Sequence, residues 1–223
     1  MKKLFDTEIV QVLPCQSGFI FVEKGEVGED GKTAIVYKML DFERASFNPT
    51  TRKVYLLSKF GNHFEQFQKD TEEFLAMKTL FFPERFVMVC NGEGLASLYT
   101  GDGLLRYQRS LVHGGEVPYD FALGENCFWA SYPKSGAVIR YSLHNLRQEL
   151  RIGGGASRLP SPKGLMYQHG KLLFCSPAEK KIFELCPETF EMEEYHSFSE
   201  PVHHYYKFHS HEIAVLESGV YKL

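Results

Sequence analysis

The chain has 223 residues, of which 43% are hydrophobic and 24% charged, the balance of an ordinary globular protein with apolar side chains enough for a sizeable core. Its 25 Lys and Arg against 28 Asp and Glu leave a net charge of -3, so no basic excess points to nucleic acid and no polybasic run to an anionic membrane. No stretch approaches the roughly 18 apolar residues of a membrane span, and Asp6 and Glu8 interrupt the segment after Lys2 and Lys3, so no signal peptide is expected.

In chain order, Lys2-Lys3-Leu4-Phe5-Asp6 is strand-like but belongs to no repeat of its own. Six short apolar runs then recur about 33 to 45 residues apart: Phe19 to Glu23, Val54 to Ser58, Val87 to Asn91, Phe128 to Ser131, Leu172 to Ser176 and Ile213 to Glu217. Each ends in a small or polar residue, and runs this short and continuous suit strands buried on both faces. A second, mixed run follows most of them, at Ala34 to Leu40, Ala137 to Leu143, Lys181 to Leu185 and Gly219 to Leu223. Turn signals lie between, at Gly28 to Gly31, Gly61-Asn62, Gly92 to Gly94 and Lys134-Ser135-Gly136.

A weaker run precedes several buried strands, at Asp120 to Leu123, Gly164 to Tyr167 and Tyr205 to Phe208. Polar, alternating runs come last, at Leu105 to Arg109, Gln148 to Ile152 and Phe190 to Tyr195, as outer strands facing water should. Each repeat thus predicts four antiparallel strands, and a unit of about 40 residues of this kind is a β-propeller blade. The expectation is an all-β, six-bladed β-propeller over residues 1–223, a single domain. The last repeat has only three strands before Leu223, so the N-terminal run is expected to supply its fourth and remove a free edge. Residues 65–78 are read two ways, as part of the second blade or as a short helix with Phe67, Phe74 and Leu75 on one face.

The blade containing Leu159-Pro160-Ser161-Pro162-Lys163-Gly164-Leu165, Gly170 to Ser176 and Lys181-Ile182-Phe183-Glu184-Leu185 resembles those of the NHL and SMP-30/gluconolactonase-like six-bladed propellers. The repeat from Val117-Pro118-Tyr119-Asp120 to Val138-Ile139-Arg140-Tyr141 is similar. The NHL strand typically ends in Asp, where this chain has Ser, Asn or Glu. The gluconolactonase-like resemblance implies an early Glu with later Asn and Asp residues around a divalent metal. Glu8 stands near that place, followed by Ile9-Val10 rather than Gly-Pro, and Asp120 is the acidic candidate near the axis.

The five cysteines, Cys15, Cys90, Cys127, Cys175 and Cys186, are odd in number and form no CxxC pair. Cys90, Cys127 and Cys175 sit in apolar runs and read as small buried hydrophobes. A reducing, cytoplasmic compartment is expected. His209 and His211 have the spacing of a zinc pair but no third ligand, and read as solvated turn residues. Gly153-Gly154-Gly155 lacks the surroundings of a phosphate loop and reads as a flexible link between blades, and Gly101-Asp102-Gly103 reads as a hairpin turn. No GxSxG nucleophile elbow occurs.

Aligning the blade entries brings Tyr119, Asp120, Lys163 and His203 or His204 toward one mouth of the central channel, the mixture of charge and aromatic surface that suits a polar ligand. The favoured function is therefore a non-catalytic binding or scaffold propeller for a protein, peptide or small polar ligand. It is expected to be a monomer without cofactor or metal, and to bind neither nucleic acid nor membrane. The alternative is a metal-dependent hydrolase or lyase acting at the channel, and a third class is a structural subunit of a larger assembly.

Overall fold

The computed structural model describes residues 1–5, 9–15, 18–29, 33–41, 46–50, 78–81, 87–100, 104–208 and 211–223. They contain twenty strands, β1 to β20, and among the described residues no helix. Residues Met1–Phe64 with Lys207–Leu223 form one compact unit and Glu65–Tyr206 the other.

The second unit holds three four-stranded antiparallel sheets, each in simple sequence order. The first comprises β6 (Lys78–Phe81), β7 (Val87–Cys90), β8 (Leu95–Tyr99) and β9 (Leu105–Ser110). The next comprises β10 (Phe121–Leu123), β11 (Cys127–Tyr132), β12 (Ala137–Ser142) and β13 (Gln148–Gly153). The third comprises β14 (Lys163–Gln168), β15 (Lys171–Ser176), β16 (Lys181–Leu185) and β17 (Met192–Ser197). The leading strands come together, β10 lying against both β6 and β14.

The apolar runs explain this stacking. All six residues of β11 are buried, and successive side chains leave a strand on opposite faces. Phe128 and Ala130 join one core with Met88, Ala96 and Leu98, while Cys127 and Trp129 join another with Leu165, Leu172 and Phe174. A sheet this apolar on both faces must have a sheet on each side of it. Each large side chain so buried contributes about 1.5–3 kcal/mol. Two tyrosine hydroxyls that enter the core are paired. Tyr132 donates or accepts at 2.7 Å with the Tyr141 hydroxyl, and its own hydroxyl reaches the Leu111 carbonyl at 2.6 Å.

The first unit holds the sheet β2 (Ile9–Cys15), β3 (Gly18–Val27), β4 (Thr33–Asp41) and β5 (Ser46–Thr50). Its buried Glu23 pairs with Lys38 Nζ at 2.8 Å. The remaining sheet has the order β1-β20-β19-β18, from β1 (Lys2–Phe5), β18 (Val202–Phe208), β19 (His211–Leu216) and β20 (Gly219–Lys222). The N-terminal strand therefore completes the last sheet, with Lys2 opposite Lys222 and Lys3 opposite Tyr221.

The chain is an all-β propeller, and five of the six apolar runs fall on the second strand of a four-stranded sheet, in β3, β7, β11, β15 and β19. The Val54 to Ser58 run, residues 65–77, the Gly61-Asn62 turn and the Gly101-Asp102-Gly103 turn lie outside the described residues, as do Glu8 and His209. Gly153 to Gly155 lies between blades as expected, leaving β13 toward β14 of the next sheet, and packs closely at Gly153. The Gly154 N–H donates to the Gly136 carbonyl at 2.9 Å, and a Cβ on Gly153, whose φ is +83°, would lie 2.4 Å from that same oxygen. Gly153 is glycine because two backbones meet there, whereas a Cβ on Gly155 would meet nothing.

Candidate functional site

The candidate residues lie where β10, β14 and β18 begin. Asp120 immediately precedes β10, Lys163 opens β14, and His203 and His204 are the second and third residues of β18. Each is preceded at short range by proline, at Pro118, Pro162 and Pro201, whose fixed φ favours an extended entry into the strand.

Asp120 is the hub. Its backbone N–H donates to Ser131 Oγ at 3.1 Å, which fixes it to its own sheet. Its carboxylate oxygen Oδ2 accepts the Leu165 N–H of β14 at 2.8 Å. The same oxygen lies 3.7 Å from His204 Nδ1 of β18, an ion-pair separation when the imidazole is protonated. One carboxylate thus contacts three successive sheets. Both side chains are largely buried, with 14% of Asp120 and 5% of His204 exposed.

Tyr206 lies two residues beyond His204, hence on the same face of β18. Its hydroxyl is 3.4 Å from His204 Nδ1, and the two rings are near parallel at 6.1 Å. Burial first, then the charge of Asp120 and the neighbouring Cys175 and Tyr119, pushes the Tyr206 phenol well above its ordinary value. The Cys175 thiol is likewise raised, by burial and then by Asp120. Tyr119 is raised by burial and then by Asp120. The Lys163 ammonium stands 5.1 Å from the centre of the Tyr119 ring, within range of a cation–π contact.

The structure therefore joins four of the five predicted residues, as the pairs Tyr119–Lys163 and Asp120–His204. His203 does not share the cluster face. It precedes His204 in the same strand, so its side chain leaves on the opposite side. Its carbonyl instead marks a close approach of backbones, since a Cβ on Gly164 would come within 2.2 Å of it. Sequence reasoning missed Tyr206 and Cys175. The i, i+2 spacing from His204 was the available signal for Tyr206, and Cys175 carried none beyond its place in an apolar run.

One neighbouring polar atom is left over. Ser176, the last residue of β15, corresponds to Ser131 near the end of β11, and its Oγ is fully buried with no hydrogen-bond partner. Where Asp120 offers an N–H to Ser131, the third sheet has Pro162, which has none. Among the described residues no three of His, Cys, Asp and Glu gather in a group suited to a metal ion.

No protein-family model and no curated protein sequence matches the chain. Solved structures do. It superposes on Saccharomyces cerevisiae Sqt1 with a TM-score of 0.58 at 11% identity, covering 96% of this chain and 71% of that one. Streptogramin B lyase gives a TM-score of 0.55 at 12% identity, covering 97% of this chain and 83% of that one. The WD40 β-propeller domain of Doa1 gives 0.54 at 10% identity, covering 96% and 62%. At these identities the likeness is one of fold, and that fold is the β-propeller.

Proposed function

We propose that the chain is a single six-bladed propeller of the NHL or SMP-30-like type. In this reading it is a non-catalytic, cytoplasmic, monomeric binding module. It recognises a protein, peptide or small polar ligand at the surface around Tyr119, Asp120 and Lys163, with the buried His204 paired to Asp120 and His203 at the margin. The observation that carries the reading is the Lys163 ammonium held over the Tyr119 ring beside the Asp120–His204 pair. A cation, an aromatic face and a carboxylate from consecutive sheets supply orientation, contact area and specificity to a polar ligand.

The reading is tested by thermal unfolding of the full chain against a panel of sugar acids and short acidic, basic and neutral peptides. A ligand at about 100 times its dissociation constant stabilises by roughly 2.7 kcal/mol. A saturable shift that disappears in Lys163→Ala supports the site. A shift that survives both Lys163→Ala and Tyr119→Ala places the ligand elsewhere and overturns it.

A second reading is a hydrolase or lyase, and what favours it is His204 Nδ1 placed between the Asp120 carboxylate and the Tyr206 hydroxyl. A general base must reach substrate, and His204 is almost wholly buried. For the metal-dependent form of that reading, the same unfolding scan is run after EDTA treatment and with added Mg²⁺, Ca²⁺, Mn²⁺ or Zn²⁺. A shift for one metal that Asp120→Ala abolishes reverses the order of the two readings.

A further inference from the structure

The outer strand of every blade-type sheet presents unpaired N–H and C=O groups that can template another strand. Most of the outer strands here carry a device against that. β5 contains Pro49, and β1 carries Lys2 and Lys3. β13 tucks Ile152 into the core and pairs Glu149 with Arg140 at 3.3 Å. β17 is acidic, with Glu194 paired to Lys181 at 2.6 Å.

β9 differs. All six of its residues are exposed. Leu105 and Tyr107 are 51% and 45% exposed, and Leu104 just before them is 56% exposed. Arg106 and Arg109 form no ion pair with any described residue, and no carboxylate lies within the strand. A bulge displaces its first residues, but Tyr107 to Ser110 pair in register with Leu98 to Leu95, and among the described residues no strand pairs with their outer edge.

We infer that β9 is a docking strand for an extended acidic segment of a partner protein, which adds to the sheet as a fifth strand. The backbone of Tyr107 to Ser110 supplies the hydrogen-bond ladder. Arg106 and Arg109 supply bidentate donors for the partner's carboxylates. Leu104, Leu105 and Tyr107 cover its apolar side chains. The charge decides the partner's sign: a chain with net charge -3 repels acidic peptides in general, and here two guanidinium groups with no carboxylate partner among the described residues sit on one exposed strand. An extended peptide, unlike a nucleic acid, also satisfies the strand's open backbone groups.

The probe is a fluorescein-labelled peptide of alternating Glu and Val, titrated with the full chain and followed by anisotropy. Saturable binding is expected. It should weaken at least about tenfold when Lys replaces Glu in the peptide, when alternate peptide nitrogens are methylated, and in the double variant R106E/R109E. Lys163→Ala should bind as the parent does, which separates this edge from the surface proposed above. Unchanged unfolding midpoints will show that the variants are folded, as expected for fully exposed positions. Absent binding, or binding indifferent to R106E/R109E or to methylation, overturns the inference. So does concentration-dependent self-association that R106E/R109E abolishes, since the occupant would then be a second copy of this chain.

Discussion

Asp120 Oδ2 accepts the backbone N–H of Leu165 at 2.8 Å, so a side chain at the entrance of β10 completes the hydrogen bonding of β14 in the next sheet. The need for it arises from a bulge between Lys163 and Leu165, which interrupts the ladder to β15 at that point. A charged acceptor in a largely buried place is worth about 1.5–3 kcal/mol. Asp120→Ala is expected to cost about that much and to lower the unfolding midpoint by about 3–12 °C. Asp120→Asn, which keeps one acceptor oxygen, should lose less. Denaturant unfolding of the three proteins checks the order, and a midpoint for Asp120→Ala equal to the parent's contradicts it.

Gly164 sits at that same bulge with a φ of +41°, and a Cβ there would press on the His203 carbonyl and on His204 Cα. Both neighbours are backbone, so neither can rotate away. Gly164→Ala should destabilise by about 2–4 kcal/mol, more than Asp120→Ala, because β14 and β18 must separate to admit the methyl group. Thermal unfolding of the two variants side by side gives the comparison.

Tyr132 and Tyr141 share a hydrogen bond inside a core. Burial lifts both phenols above the ordinary value of 10.0. The folded state therefore holds their protons longer than the unfolded state does. Their contribution to stability is complete below about pH 10, and it is lost as the pH climbs from there through the raised folded values. Absorbance of tyrosinate should rise for the exposed tyrosines first, and for this pair only with unfolding. Tyr132→Phe leaves the Leu111 carbonyl and the Tyr141 hydroxyl without that partner, a loss of about 1–3 kcal/mol at neutral pH.

Thiol chemistry should rank the described cysteines. Cys186 is half-buried, and hydrogen bonding from Thr189, helped by the backbone of Thr189 and Glu188, lowers its thiol below the usual range. Cys127 is buried and pushed up to about 11, and Cys175 is raised as well. Because the thiolate is the nucleophile, iodoacetamide at neutral pH should label Cys186 before Cys90, Cys127 and Cys175. Peptide mapping after brief exposure reads the order directly.

The fold was largely legible because its signals are local. Double-sided burial makes β11 a continuous apolar run, exposure makes β9 polar and alternating, and the Lys134-Ser135-Gly136 turn stands between β11 and β12 where its composition puts it. The site was legible only in part, because it is made across sheets. Alignment of Pro118, Pro162 and Pro201 brought Asp120 near Lys163 and His204. Alignment does not say which of two adjacent histidines faces inward, since that depends on the strand's register. Nor does it reveal that the Asp120 carboxylate has a backbone N–H to satisfy, since the bulge at Gly164 that exposes Leu165 leaves no trace in hydrophobic periodicity. At Gly153 the same limit applies: composition shows glycine, and only packing shows the close approach to the Gly136 carbonyl.

The pairing of Lys3 with Tyr221 has a consequence in time. At about 5–20 residues per second, a ribosome that has made Lys3 needs roughly 10–40 s to reach Tyr221. Throughout that interval β1 waits without its strand partner. Lys2 and Lys3 keep the waiting strand soluble and unattractive to other edges. The same two lysines then remain on the outer edge of the finished sheet, where they guard it for the life of the protein.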